Sequence, residues 1–339
     1  MGRWFRVSCL LVCVSIPCAA QVEIIQCPNS PSPPAQGVCE VTPGDGNLLL
    51  EATLLTERRV YRDGRILIDP AGMIVCSGCD CSGQPGFDTA TRVTCAEGVA
   101  SPGLINLHDH MSWADSPPVD HGAERYDHRH DWRLGLRGHT EINTAATTGS
   151  TAGRSWAELR HLIAGTTSMV GSGSAPLFVR NLDSTTNQDG LGEEPIDNST
   201  FPLGDLSGPL LVGSCAYPNI SGPDPGEVFV PHIAEGVDAE ARNEFLCLSD
   251  GSLPGGADFL QNAALVHAIG LTPADAYEIN ARVGSVIWAP RSNISLYGMT
   301  APVHAMRNLG VNIALGTDWL PTGSMNLQRE LQCAKALNE

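Results

Sequence analysis

The sequence predicts an α/β protein built on a (β/α)8 barrel, preceded by a smaller segment made only of strands. Two features of the 339-residue chain carry this expectation. Over residues 47–100, the runs "NLLLEATLL", "RVYRDGRILIDPAGMIVCSG" and "TRVTCAEGVASPG" are apolar or alternating, with Asp-Gly, Pro-Ala-Gly and Ser-Gly turns between them. That is the pattern of short antiparallel strands. Beyond Gly103, apolar runs alternate with helical segments, the pattern of a parallel sheet.

Eight runs qualify as strands of the second part: "GLINLH", "TTSMVGSG", "LFVRNLD", "GPLLVGSC", "VFVPHIA", "AALVHAI", "SVIWAP" and "VNIALGTD". Helices are expected over "SWAELRHLIAG" and "TAPVHAMRNLG", both closing on glycine. "TPADAYEINARVG" has Thr272 as N-cap, Pro273 at the first helical position and Asp275 at the third. Residues 184–208 and 216–227 are polar and rich in glycine and proline, and read as loops.

The first 20 residues read as an export signal: Arg3 and Arg6, the apolar run "VSCLLVCVSI", then "CAAQ" with cleavage near Ala20. The expected location is periplasmic or extracellular. Lipid anchoring at Cys18 is an open variant, disfavoured by Pro17. Residues 21–46, containing "CPNSPSPPAQG", read as an extended tether with no core of its own. No other run is long enough to span a bilayer. A net charge of −17 speaks against nucleic acid or an anionic membrane as partner; self-association stays open.

Twelve cysteines fit export, and nine follow the signal: Cys27, Cys39, Cys76, Cys79, Cys81, Cys95, Cys215, Cys247 and Cys333. Disulfides are the first reading. "CSGCDC" also has the spacing of a zinc knuckle, without a matching second pair. Nine is odd, so one thiol stays free, and Cys333 is the candidate.

A barrel gathers its functional side chains at the C-terminal ends of its strands. There the sequence places His108 and His110 after the first strand, and His232 with Glu235 three residues on after the fifth. His267 follows at the sixth and Asp318 at the eighth. Each has an ordinary alternative, such as a structural histidine or a helix-capping carboxylate. One explanation covers all six: a nitrogen- and oxygen-rich site for zinc or ferrous iron with a position left for water.

These residues resemble a known family. "PGLINLHDH", "PHIAEG", "LVHAIGL", "PRSN" and "LGTDW", in this order, are similar to motifs of the metal-dependent amidohydrolase superfamily. The nearest branch is that of cytosine and guanine deaminases and triazine chlorohydrolases. The resemblance runs from about residue 47 onward and implies an amidohydrolase-type barrel with a small β-sandwich, of which residues 47–102 would be the first part. It implies that His108, His110, His232 and Asp318 bind one metal. By the same resemblance, His267 contacts the water or substrate and Glu235 shuttles protons. Family members that bridge two metals use a carboxylated lysine; the single lysine here is Lys335, so one metal is expected. Cys215 as a bridging ligand is a remote variant.

The implied reaction is attack of metal-activated water on a carbon–nitrogen bond of a cyclic amidine or amide, deamination of a heterocycle being the sharper form. Ring dechlorination and a catalytically inactive binding scaffold are the alternatives. Trp113, Trp132 and Trp319 could stack on a planar substrate or simply pack. His128 and His130, in "ERYDHRHDWR", are candidate substrate contacts or part of a solvated charged loop. Arg291 lies in the "PRSN" stretch, and Ile287-Trp288-Ala289 before it departs from the family pattern, which points to an altered pocket floor. Family members also continue well past the last strand, so the sandwich is expected to be incomplete and the barrel (103–339) cut short.

Overall fold

The computed structural model describes residues 22–28, 30–144, 150–171, 178–188 and 190–338. The expected export signal and Cys18 lie outside them. Two compact units divide between Pro102 and Gly103.

The first unit is one mixed sheet of β1 (Glu23–Gln26), β2 (Glu40–Thr42), β3 (Asp45–Leu55), β4 (Arg59–Ile68), β5 (Ile74–Gly78) and β6 (Ala90–Ala100). It is not wholly antiparallel: β1 joins β4 and β3 joins β6 in parallel register. Nor is 21–46 a bare tether, since it holds β1 and β2. What ties this proline-rich stretch down is covalent. Cys27 is bonded to Cys79, which joins the ends of β1 and β5 along the shared edge of β4, and Cys39 is bonded to Cys95 of β6. Cys76–Cys81 closes a tight loop, so "CSGCDC" is a disulfide segment and not a zinc knuckle. Leu49, Leu67 and Cys81 are buried at the centre of one apolar cluster, and Ala52, Leu54 and Cys95 at the centre of another.

Among the described residues the second unit carries eight short strands: β7 (Leu104–Asn106), β8 (Thr166–Met169), β9 (Arg180–Asn181), β10 (Asp197–Ser199), β11 (Phe229–Ile233), β12 (Ala264–His267), β13 (Ser285–Trp288) and β14 (Asn312–Leu315). All their ladders are parallel, β7-β8-β9 in one sheet and β10 to β14 in the other. Helices are α1 (Arg129–Leu134), α2 (Thr151–Ile163), α3 (Ala239–Ser249), α4 (Pro273–Ala281), α5 (Pro290–Tyr297), α6 (Val303–Asn308) and α7 (Leu327–Asn338). At the start of α4, Thr272 and Asp275 form a reciprocal capping box, as their spacing predicts. α2 starts earlier than expected because Ser150 caps it by accepting from the Gly153 amide.

The fourth strand is misplaced by sequence reasoning. "GPLLVGSC" forms no strand; Gly208 and Gly213 adopt left-handed φ values of 86° and 66°, which no strand accommodates. The strand is instead the polar "DNS" at 197–199, inside a stretch that reads as loop. Among the described residues, nothing longer than a single three-residue 3-10 turn lies between β8 and β11, so the regular strand–helix alternation lapses there. Cys215 is bonded to Cys247 of α3 and is therefore no metal bridge. Among the described residues, Cys333 is the free cysteine.

Around β11 and β12 the core is continuous: Phe229, Ile233, Phe245, Leu248, Leu265 and Ile279 are all buried together. Among the described residues no helix is long and apolar enough to cross a membrane.

The Cys215–Cys247 bond closes a loop of 32 residues onto α3. Replacing both cysteines with alanine should lower stability by about 2–4 kcal/mol through the gained freedom of the unfolded chain. A urea unfolding midpoint identical to that of the parent would contradict this.

Candidate metal centre and substrate cavity

Extended chain sends alternate side chains to opposite faces. After β7 this puts His108 and His110 into one cluster, with ring centroids 4.7 Å apart, and turns Asp109 the other way. There Asp109 accepts from Thr317 Oγ1 at 2.6 Å and lies 3.2 Å from His161 Nε2 of α2. Burial works against the Asp109 charge, but His161, Arg160 and Thr317 hold its carboxyl below the usual range.

Asp318 reaches the same cluster across the seam between the last and first strands. Its Oδ1 is 3.1 Å from His108 Nε2 and 3.5 Å from His110 Nε2. The seam is stitched by backbone bonds: the Leu107 amide donates to Leu315 O, and the Thr317 and Asp318 amides both donate to His108 O. It also admits no extra atoms. A Cβ on Gly316 would stand 2.6 Å from His108 Cβ, and one on Gly171 would stand 1.7 Å from Asp109 O.

His232, on β11, completes the group. Its Nδ1 donates to Ser199 O of β10 (3.3 Å), which leaves the Nε2 lone pair facing His110 Nε2 at 3.4 Å. His267, at the end of β12, donates Nδ1–H to Asn293 Oδ1 (3.1 Å); the Asn293 amide is oriented by its own donation to Thr300 Oγ1. Ala234, His267, Ala268 and Asp318 all have left-handed φ, between 51° and 71°, so backbone strain gathers at these strand ends.

The structure brings these residues close together: the donor atoms of His108, His110 and His232 lie within 4.8 Å of one another, as do those of His108, His267 and Asp318. Burial, then the neighbouring His108, pushes the His110 imidazole down to about 4, and burial with the other three histidines holds His232 well below its ordinary value. Burial alone would raise the Asp318 carboxyl, but the bond from His108 and the surrounding imidazoles keep it well below the carboxylate range. Neutral imidazoles beside an ionised carboxylate are the ligand forms a divalent cation needs. Two observations fit such a cation. His232 has its far nitrogen fixed by a backbone carbonyl, the usual arrangement of a ligating histidine. Its near nitrogen meets His110 Nε2 at 3.4 Å, so two imidazole nitrogens converge beside the Asp318 carboxylate.

Glu235 lies beside the cluster. Its Oε1 accepts from Tyr297 Oη (2.7 Å), which in turn accepts from Trp132 Nε1 (2.8 Å). Its Oε2 is 3.6 Å from His267 Nε2 and 4.0 Å from Arg129 Nη1. Since Asn293 holds the proton of His267 on Nδ1, the facing Nε2 and Oε2 repel unless one further proton sits on one of them. Tyr297 is buried and its hydroxyl is pushed well above 10 by burial and by Glu235, so it remains a donor. Sequence reading missed Tyr297 and Asn293; the Asn293 signal was present in "PRSN", and nothing marked Tyr297.

A cavity of about 230 Å³ opens onto the cluster, lined by His110, His232, Glu235, His267 and Asp318 together with Trp113, Trp132, Trp319, Arg129, Arg133, Thr200 and Phe201. That is below the ~300–1,000 Å³ of drug-sized pockets, a size that suits a small molecule. The indole N–H groups are already spent on Thr144 O, Tyr297 Oη and Thr322 Oγ1, which leaves the rings as apolar wall.

Four residues expected at the cavity lie elsewhere. Arg291 is exposed and donates Nε to Ser324 Oγ. Trp288 packs with Ala301 and Ala334 and donates to Thr300, so it is not the cavity floor. His128 and His130 are neither cavity-lining nor solvated: they are 1% and 0% exposed. His128 caps α1 and lies 3.2 Å from Glu244, while His130 lies 3.1 Å from Asp205. The reason is Arg129 between them, a buried cation bonded to Asp205 and Thr200 O that draws carboxylates around itself.

The depressed imidazoles set a pH dependence. Between pH 6.5 and about 4 the unfolded chain binds protons that folded His110 and His232 refuse, so stability falls as pH falls through that window. In chelator-treated protein, Tm should drop by at least ~5 °C from pH 7 to 4.5. His110→Asn should flatten that slope; an unchanged slope would contradict the assignment.

No family model matches the sequence, and no curated protein sequence does. Solved structures do. The chain is similar to a guanine deaminase from C. acetobutylicum with bound guanine, with a TM-score of 0.54 and 14% identity, over 86% of this chain and 80% of that one. It is similar to an adenosine deaminase from Xanthomonas campestris with bound zinc, with a TM-score of 0.53 and 18% identity, over 87% and 74%. A triazine hydrolase from Arthrobacter aurescens gives a TM-score of 0.51 and 15% identity, over 81% and 72%. At these identities the likeness is one of architecture: the chain shares the fold of these two deaminases and this triazine hydrolase.

Proposed function

We propose that this protein is an exported metal-dependent hydrolase that opens a carbon–nitrogen bond of a small heterocycle, acting as an aminohydrolase that releases ammonia from a ring amidine. The observation that carries the reading is the convergence of His110, His232, His267, Asp318 and Glu235 on the wall of one small cavity, with His108 buried directly behind them. We read the eight parallel strands as a single closed barrel. The bond from Leu107 to Leu315 supports closure at one gap and that from Ile196 to Leu182 at the other. The four disulfides support an oxidising, exported setting.

His108, His110, His232 and Asp318 would hold one divalent cation, zinc or ferrous iron by the nitrogen and oxygen character of the set. When bound, the cation supplies Lewis-acid activation of water, lowering its pKa from about 15.7 toward 7. The remaining work falls to side chains. Asp318, ionised and buried, takes a proton from the attacking water. Glu235 carries a proton on Oε2 and delivers it to the ring nitrogen or the departing amine, as general acid catalysis requires. Tyr297 pins Oε1, so the mobile proton stays on the side facing His267. His267, fixed by Asn293, receives or returns that proton at Nε2. The three tryptophans keep bulk water off the reacting carbon.

Metal analysis of the protein as purified should find about one zinc or iron per chain, and His232→Ala and Asp318→Asn should each fall below about a fifth of that. An ammonia-release screen over aminated heterocycles should find a substrate. Glu235→Gln should then lose 10²–10⁴-fold in kcat with its metal intact, roughly the worth of a general acid. A metal-replete protein that releases no ammonia from any ring amine would overturn the aminohydrolase reading, and full activity in Glu235→Gln would overturn the role of Glu235.

A further inference from the structure

The cavity holds two arginines, and their surroundings differ. Arg129 is buried and its charge is consumed: it is bonded to Asp205, donates to Thr200 O at 2.7 Å, and has Glu244 at 3.7 Å and Glu235 at 4.0 Å. Arg133, one helical turn further along α1, is half-buried on the same cavity wall, and among the described residues no carboxylate oxygen lies within 4.0 Å of its nitrogens. Its guanidinium is nevertheless fixed in place. Nη1 donates to His130 Nδ1 at 2.8 Å, Nη2 donates to Leu206 O at 3.3 Å, and the group lies over the ring of Phe201 at 4.4 Å. The two carboxylates that line the cavity are engaged elsewhere, Glu235 with Tyr297 and Asp318 with His108.

We infer that the substrate carries a carboxylate on its ring, and that Arg133 is the residue that selects it. This rests on the reading of the cavity as a substrate site. A guanidinium offers five N–H donors in a planar fork that matches a carboxylate, and only two are used here within the protein. Being already held by His130, Leu206 and Phe201, it loses little freedom when an anion docks. In a chain of net charge −17, an anionic substrate needs a cation at the cavity to offset long-range repulsion, and Arg129 is not available for that. Arg129 instead serves indirectly: it draws Asp205 to itself and to within 3.1 Å of His130 Nε2, while His130 Nδ1 accepts from Arg133.

The test compares ring carboxylates with their neutral amides. Orotate and nicotinate, each against the corresponding amide, are titrated calorimetrically into the full protein as purified, and into Arg133→Met and Arg133→Lys with metal content and circular dichroism verified. The parent should bind at least one carboxylate tenfold or more tightly than its amide. Arg133→Met should abolish that preference and Arg133→Lys should retain part of it. A preference that survives in Arg133→Met would place the anion on another cation and overturn the inference. So would a parent that discriminates against carboxylates, or binds none of the probes. The outcome separates from the reaction itself: carboxylate preference lost in Arg133→Met, in a protein that releases no ammonia, would sink the aminohydrolase reading alone. Ammonia release confined to neutral ring amines would sink the carboxylate alone.

Discussion

Everything at the site depends on the seam where the chain after β14 meets the chain after β7. Asp318 and His108 face each other there at 3.1 Å, and the carbonyl of His108 is held by two amides from Thr317 and Asp318. Asn106 adds a buried side-chain bond to Thr317 Oγ1 at 2.6 Å. More than 200 residues separate the partners, so the contact exists only when the whole second unit has folded. Two of the rings are also oriented from outside the cluster, His232 by Ser199 and His267 by Asn293.

Beneath the cavity, a second set of charges plays a different part. Arg129 sits buried among Asp205, Glu244 and Glu235, and a guanidinium so enclosed is tolerable only because carboxylates surround it. Removing Arg129 would leave those buried acids uncompensated. The network therefore couples the loop that carries Asp205, the helix that carries Glu244 and the wall that carries Glu235 into one electrostatic unit.

How much of this was legible in the sequence follows from the range of each interaction. His108, His110, His232, His267 and Asp318 could be found because each stands at or just past the end of an apolar run, and parallel strands bring their C-terminal ends to the same side. The capping box at Thr272 and Asp275 was legible because its chemistry spans three residues. Tyr297 was not, since its partner Glu235 is 62 positions away and a tyrosine before a glycine has no distinctive pattern. "DHRHD" looked like a solvated loop because charge density in a sequence does not reveal pairing; its partners Asp205 and Glu244 lie in separate segments. The strand at 197–199 escaped for a related reason: its residues are polar, and only its neighbour β11 makes it a strand.

Gly171 and Gly316 impose a constraint of another kind. Any larger residue at either position would drive into the backbone or side chain that carries Asp109 and His108. Mutational drift is therefore closed from beneath the cluster, while the wall formed by Trp132, Arg133 and Phe201 has no such lock. Over evolutionary time such a scaffold is free to exchange the molecules it accepts while the reacting centre itself stands still.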